Sequence, residues 1–223
     1  MFPPIQTDID AKVLEIRQIN AGGDPAVSEQ AGRVTAMVRA VQGAEGAFIA
    51  RILPTALAQA PHLTVVQQPV VALPERALAL ADQPLPDVHM EYTGDGRRRR
   101  LDQLVLNHDV GSIEFTECKR GWRSIGADHR RTRLRDDRAL RLIALSYAWH
   151  QFRMLPTHAT TRIVSYYGRT GLPEGITIRA HELDEHYSVN VHAVIEEHLC
   201  YFRQALDQAI PGLTGYGRRP DNV

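Results

Sequence analysis

The chain has 223 residues, of which 43% are hydrophobic and 23% are charged, and its formal net charge is zero. These values are ordinary for a globular protein with a real hydrophobic core. Net neutrality argues against a protein that coats nucleic acid indiscriminately. Its two cysteines, Cys118 and Cys200, exclude a disulfide framework and a zinc site with paired-cysteine spacing.

The sequence also bears on location and domain organisation. No apolar run approaches the roughly 18 residues needed to cross a bilayer, and no signal peptide is visible at Met1. We therefore expect a cytoplasmic protein with no membrane partner. Residues 1–43 are expected to form an N-terminal helical extension, and residues 44–223 one main domain that ends in a C-terminal helix.

The first half of the chain is predicted to be mostly helical, with apolar strands. Pro69 favours an edge position or a bulge within its strand. The predicted elements are, in order, an irregular or weakly helical segment over 1–23, a helix over 24–42 that Gly43 ends, a helix over 44–60 that Pro54 kinks or splits, a strand over 63–73, a Pro- and Ala-rich connection over 73–86 with one helical turn, and a short strand over 88–93.

The second half begins with a predicted β-hairpin, from strands over 98–107 and 112–120 that are joined by the turn His108-Asp109-Val110-Gly111. A helix over 127–152 follows, with a predicted buried stripe of Leu134, Leu142, Leu145, Trp149 and Phe152. A strand over 160–167 is expected to pair in parallel with the strand before the helix. After a loop-rich stretch, an amphipathic helix covers 191–210. This order predicts an α/β fold in which helices flank a central mixed β-sheet.

Lys119 stands out because lysine is rare in this chain. Of the 26 basic residues, 24 are arginine, and the other lysine is Lys12. An ammonium is a compact charge whose pKa can shift, whereas a guanidinium is a broad and permanently charged fork. Side chains alternate along a strand, so Glu117 and Lys119 are expected to point to the same face.

Asp102 is predicted to lie beside this pair. If Asn107 pairs with Ser112 across the hairpin, Asp102 falls directly opposite Glu117. Carboxylates this close repel each other unless they share a proton or a cation lies between them. Two hard oxygen ligands beside a lysine suit a Mg²⁺ site that keeps several waters.

The same region is locally basic. Residues 97–141 contain twelve arginines and Lys119 against seven acidic residues, a local charge of +6. Such a patch is the electrostatic footprint of phosphate contact, although arginine-rich helices also form plain solvated faces. Within the patch, the predicted nucleic-acid-binding residues are Arg120, Arg123, Arg130 and Arg131.

Together, Leu101-Asp102, the hairpin and Glu117-Cys118-Lys119 resemble the D…(D/E)-x-K signature of the PD-(D/E)xK nuclease superfamily. The resemblance covers residues 44–170 and extends to the order of elements: helix, strands, aspartate, turn, Glu-x-Lys, long basic helix, strand. Leu101 replaces the family's proline. Pro86-Asp87 offers a literal Pro-Asp, but it lies outside the hairpin, so Asp102 is preferred.

The resemblance implies a restriction-endonuclease-like core and a nuclease that hydrolyses DNA phosphodiester bonds with Mg²⁺, or Mn²⁺ in its place. Asp102, Glu117 and Lys119 would be catalytic. Asp102 and Glu117 would hold the metal with a helix glutamate, for which Glu45 is the candidate and Glu29 the rival. A polar residue such as Arg130, Arg131 or Gln103 would assist. Double-strand cleavage would imply a homodimer. The alternative is a degenerate member that binds nucleic acid or a partner without cutting, within a mobile-element or repair complex.

Overall fold

The computed structural model describes residues 1–20, 28–83, 88–121, 126–168 and 171–211. The chain divides into two compact units. Residues 1–52 and 190–223 form the terminal unit, and residues 53–189 form the sheet unit. The predicted division into 1–43 and 44–223 stays a prediction about domain organisation.

In the terminal unit, α1 (Pro3–Arg17) packs against α6 (His192–Ala209). The segment predicted as irregular or weakly helical is thus mostly a regular helix. Its apolar residues recur every three or four positions and so lie on one face, which is buried. That buried face consists of Ile5, Ile9, Val13 and Ile16. The predicted C-terminal helix is confirmed, and its buried side chains include Ile195, Leu199, Phe202 and Leu206.

A single helix, α2 (Glu29–Leu57), replaces the two helices predicted over 24–42 and 44–60. Gly43 does not end it, because an interior glycine costs a helix only about 1 kcal/mol and the surrounding turns outweigh that cost. Pro54 lies inside the last turn, where it cannot donate to the carbonyl four residues earlier, and the helix ends three residues later at Leu57. Asp24 and Pro25, the predicted helix start, lie outside the described residues.

The sheet unit is built on a five-stranded mixed sheet. Its strands are β1 (Leu63–Gln67), β4 (Gln103–Asn107), β5 (Ser112–Lys119), β6 (His158–Ser165) and β7 (Thr177–Ile178), in that spatial order. The first three strands pair antiparallel, and β5, β6 and β7 pair in parallel. The crossover helix α4 (Ala127–Phe152) joins β5 to β6, so the predicted parallel pairing is confirmed.

Each of the two long predicted strands is broken near its middle. A second, two-stranded sheet pairs β2 (Val70–Leu73) with β3 (Arg97–Arg100). Pro69 has no N–H for a ladder, and Gln68 takes a left-handed backbone conformation with φ 49°. Hydrogen bonds close the break, from Leu101 N to Pro69 O at 3.0 Å and from Gln68 N to Asp102 O at 2.9 Å. The strand predicted over 98–107 is therefore two strands in different sheets.

The strand predicted over 88–93 is wrong. This segment runs as coil along α4, to which Met90 N and Tyr92 N donate hydrogen bonds. The Pro- and Ala-rich connection holds two helical turns, α3 (Glu75–Ala81). Two short 3₁₀ turns, at Glu174–Ile176 and Ala180–Glu182, and the helix α5 (Leu183–Tyr187) complete the unit.

The helix α4 has the predicted bounds but not the predicted buried stripe. Trp149 is 44% exposed. Positions three, four and seven apart lie on one helix face, and here that face mixes apolar residues with three charged ones. It comprises Arg133, Asp136, Asp137, Leu140, Ile143, Ala144 and Tyr147. Its apolar part packs on one face of the sheet, against Leu104, Leu106, Ile113 and Phe115.

Candidate functional site

The predicted hairpin register is confirmed. Asn107 pairs with Ser112, and Gln103 pairs with Thr116. When this register is continued by one residue, Asp102 falls level with Glu117, just before β4 begins. Asp102 Oδ2 accepts a hydrogen bond from Cys118 N at 2.6 Å. The Asp102 carboxylate therefore caps β5 at Cys118, one residue after Glu117, where the antiparallel partner strand has ended.

Glu117 is surrounded by cations. Its Oε1 lies 2.6 Å from Arg99 Nη2 and also contacts Arg133 Nη1, and its Oε2 lies 3.3 Å from Lys119 Nζ. The expectation that Glu117 and Lys119 share a face is thus confirmed. The two arginine side chains are 12% and 10% exposed, whereas that of Lys119 is 49% exposed. The lysine is the part of the cluster that solvent reaches most easily.

Two aspartates of α4 extend the cluster. Asp136 bonds to Arg97 and to Arg99, and Asp137 accepts from Arg133 Nε at 3.2 Å. Alternation along β3 places Arg97 and Arg99 on the same side of that strand. We call the set formed by Arg97, Arg99, Glu117, Lys119, Arg133, Asp136 and Asp137 the ionic cluster.

The ionic cluster was not predicted, and α4 shows why. Asp136 and Asp137 interrupt the apolar stripe of that helix at buried positions, and both are at most 3% exposed. Buried carboxylates need partners, so these two aspartates are the signal in the sequence that nearby arginines are paired inward. A count of basic and acidic residues does not distinguish arginines that are paired with buried carboxylates from arginines that face solvent.

The electrostatics keep Glu117 ionised. Burial alone would raise the pKa of its carboxyl, but Arg133, Arg99 and Lys119 together lower that pKa to about 2. For Asp137 the balance is opposite, because burial raises its pKa and Arg133 offsets only part of the effect. Glu117 is therefore the permanent anion at the end of β5.

Each of the two carboxylates keeps an oxygen that can take a cation. Asp102 Oδ1 has no hydrogen-bond partner among the described residues, and Glu117 Oε2 has only the lysine at 3.3 Å. Within the described part of the chain, no three His, Cys, Asp or Glu side chains come together as a metal-binding group. Mg²⁺ nevertheless needs only one or two carboxylates when water and substrate oxygens supply the rest. The donor chemistry of Asp102 and Glu117 fits that requirement.

The loop after Lys119 is held against the end of β6. Lys119 pairs with Ser165, and Tyr166 N donates to Lys119 O at 3.0 Å. Gly121 has φ +71°, and a Cβ there would collide with Ser165 Oγ. Only glycine therefore fits at this point, and the close approach fixes the backbone that carries the lysine.

The two candidate helix glutamates belong to α2. Glu45 belongs to the terminal unit, where its Oε1 lies 3.3 Å from Arg203 Nη2. It sits in the middle of α2 rather than at the start of a helix, and the rival Glu29 lies in the first turn of α2. A fourth metal ligand from either residue stays a prediction.

The predicted nucleic-acid-binding arginines have mixed surroundings. Arg120 lies over the ring of Tyr167, 5.2 Å from its centroid, and Arg130 donates to Gly171 O at 3.2 Å. Arg131 is exposed. Arg123 and the Pro86-Asp87 pair lie outside the described residues.

A second buried glutamate, Glu114, lies on the opposite face of β5. It accepts hydrogen bonds from Tyr187 OH at 2.7 Å, Thr116 Oγ1 at 3.1 Å and Thr160 Oγ1 at 3.3 Å. His186 Nε2 lies 2.8 Å from its Oε2. Burial opposes ionisation, but His186, Tyr187 and Thr116 outweigh it and lower the pKa of Glu114. Sequence reasoning missed this cluster, although Glu114, Thr116 and Cys118 alternate on one face of the predicted strand.

Comparisons with known proteins find no match, whether with protein-family models, with curated proteins or with solved structures. Among the described residues, no helix combines the length and the apolar character that a membrane crossing requires.

Proposed function

We propose that this protein is a Mg²⁺-dependent nuclease that hydrolyses DNA phosphodiester bonds on a restriction-endonuclease-like core. The observation that carries the proposal is that Asp102, which accepts a hydrogen bond from Cys118 N, lies level with Glu117, the ion-pair partner of Lys119, at the end of β5. The order of elements supports it: α2, three antiparallel strands (β1, β4 and β5), the crossover helix α4, and β6 parallel to β5. The segment with β2, α3 and β3 is an insertion into that order.

Phosphodiester hydrolysis needs an activated water and a way to stabilise charge on the phosphate. Bound Mg²⁺, or Mn²⁺, would acidify a water and polarise the phosphate. Asp102 Oδ1 and Glu117 Oε2 are the atoms that would hold it. Arg99 and Arg133 bind the other oxygen of Glu117 and so orient the carboxylate. Lys119 would stabilise the developing negative charge or orient the attacking water.

A second candidate is a binding module that does not cut, and one observation favours it. Three cations of the chain itself already neutralise Glu117. A carboxylate in this state is also what a purely structural ion cluster would contain. In that case the arginines would serve nucleic-acid or partner binding, and no metal would be needed.

A cleavage assay separates the two candidates. Supercoiled plasmid, single-stranded DNA and RNA are incubated with the protein in Mg²⁺, Mn²⁺ or EDTA, beside Lys119→Ala and the matched control Lys12→Ala. Lys12 is the other lysine, and it forms an exposed ion pair with Glu15 on α1. We expect metal-dependent cutting of DNA that falls about 10²–10³-fold in Lys119→Ala and is unchanged in Lys12→Ala.

Two results would argue against the nuclease. Equal cutting by Lys119→Ala and by the parent would show that the activity arises elsewhere. Binding without cutting in any metal would favour the second candidate. Preferential cutting of RNA would change the substrate but keep the site.

A further inference from the structure

The outer face of the β2–β3 ribbon carries two arginines that the ionic cluster does not use. Strand β3 is a run of four arginines whose side chains alternate. Arg97 and Arg99 point inward to Asp136 and Glu117. Arg98 and Arg100 therefore point to the other side, where both are exposed. In the described part of the chain, neither guanidinium group has an ion pair or a hydrogen bond.

The partner strand adds no negative charge to this face. Arg100 pairs with Val70, and Arg98 pairs with Ala72. Directly opposed residues share a face, so it carries two guanidinium groups and two apolar side chains but no carboxylate. The two guanidinium groups are therefore free to meet a negatively charged group from outside the chain.

The ribbon holds these arginines in a fixed direction. A one-residue slip of β3 would turn Arg97 and Arg99 outward, away from buried Asp136. Gly96, with φ +103°, is so close to the backbone of Leu73 and Pro74 that a Cβ there would collide with it. The strand geometry therefore fixes the side of the ribbon from which both arginines project, so binding needs no rearrangement of the backbone.

We propose that Arg98 and Arg100 contact two phosphates of duplex DNA without reading its sequence. Their Cα atoms are about 6.7 Å apart along the strand, within the reach of two long side chains to neighbouring phosphates. A two-stranded ribbon is also narrow enough to approach a groove of the duplex. Single-strand binding normally uses aromatic side chains for stacking, and this ribbon face has none. The inference rests on the proposed function for its choice of ligand but requires no cleavage.

Salt dependence of binding tests the contact directly. Binding to a fluorescent DNA duplex is measured in EDTA at KCl concentrations from about 50 to about 200 mM. Three proteins are compared: the parent, the ribbon variant Arg98→Gln/Arg100→Gln and the control variant Arg33→Gln/Arg39→Gln. The control arginines are exposed residues of α2, and the control loses the same net charge. Loss of two phosphate contacts should reduce the slope of log K against log salt concentration by about 1.8 in the ribbon variant. The slope of the control should match that of the parent.

Each other outcome overturns the inference. These outcomes are no duplex binding by the parent, an unchanged slope in the ribbon variant, an equal loss in the control, and an equal loss on a single strand. Thermal unfolding of both variants should match the parent, because the substituted side chains are exposed and unpaired. Failure of the nuclease proposal stays distinguishable: a reduced slope without cleavage removes only that proposal, and cleavage with an unchanged slope removes only this contact.

Discussion

Glu114 and Glu117 lie three residues apart on β5 and face opposite sides of the sheet, and their surroundings differ in kind. Both are buried, at 7% and 8% exposure. Glu114 is held by three hydroxyl groups and by His186, and Arg162 Nε lies 3.9 Å from its Oε2. Glu117 is held by two guanidinium groups and one ammonium. The same side chain on the same strand is therefore held mainly by hydroxyl hydrogen bonds on one side and by three close cations on the other.

This difference indicates which carboxylate can exchange its partners. Two of the hydroxyl donors around Glu114 belong to buried residues, Thr116 at 0% and Tyr187 at 4% exposure, and its partners His186 and Arg162 are each 27% exposed, so that site is more enclosed than the one at Glu117. Glu117 stands where β4 has ended, and its ammonium partner is half exposed. A cation partner can be replaced by another cation without leaving the carboxylate uncompensated. Burial alone would have ranked the two glutamates equally.

The largest expected effect comes from removing the charge of Glu117. In Glu117→Gln, Arg99 and Arg133 stay buried and lose an anion, although Asp136 and Asp137 still pair with them. We expect the free energy of unfolding to fall by about 3 kcal/mol, the lower end for a broken buried ion pair. Urea unfolding at neutral pH measures it. A loss well below 1 kcal/mol would show that the ionic cluster is no stronger than a surface one.

Lowering the pH should remove the contribution of ionised Glu117 to the free energy of unfolding. The pKa of Glu117 is lowered from about 4.5 to about 2 in the folded protein, so its stabilisation is present above pH 4.5 and is lost as the pH falls towards 2. At about 1.4 kcal/mol for each pH unit, this amounts to about 3 kcal/mol. Glu114 acts in the same direction and Asp137 in the opposite one. The difference between the parent and Glu117→Gln, followed by urea unfolding from pH 7 downwards, isolates Glu117 and should shrink in acid.

A smaller effect is expected at Glu114, on the more enclosed side of β5. Glu114→Gln keeps an amide oxygen for Tyr187 and Thr116 but loses the charge that faces His186, so we expect a loss of about 1–3 kcal/mol. Thr116→Val removes one donor and should cost about 1 kcal/mol. Cleavage at neutral pH should be unchanged in both variants once they are shown to be folded. A selective loss of cleavage in Glu114→Gln would contradict the assignment of the two sides.

The sequence predicted the local geometry of the site better than its environment. The hairpin register follows from the turn residues and from the alternation of side chains, which are local features of the sequence. The position of Asp102 opposite Glu117 was therefore predictable. The bounds of α4 and the parallel pairing of β6 follow from periodicity and chain connectivity. Pro69 was predicted to mark an edge position or a bulge. The break that the structure has there, with a second sheet that directs Arg97 and Arg99 towards α4, depends on tertiary packing.

The arginines illustrate why the rest was not predictable. A sum of charges over residues 97–141 treats Arg98 and Arg99 alike, yet one is exposed and the other pairs with two buried carboxylates. Which face of β3 turns inward is decided by contacts between segments that are distant in the sequence. The N-terminal segment was predicted to be irregular or weakly helical for a different reason, because α1 is only weakly amphipathic although its buried face is regular.

The smallest expected stability effect, at Lys119, gives the sharpest test of function. Its ion pair with Glu117 is long at 3.3 Å and half exposed, so Lys119→Met should change the free energy of unfolding by less than about 1 kcal/mol. Arg99 and Arg133 still neutralise Glu117 in this variant. If the exposed cation serves chemistry, cleavage should fall about 10²–10³-fold while urea unfolding scarcely changes. A structural lysine would show the reverse, with stability lost in proportion to any loss of activity, and Lys12→Met provides the matched baseline for both measurements.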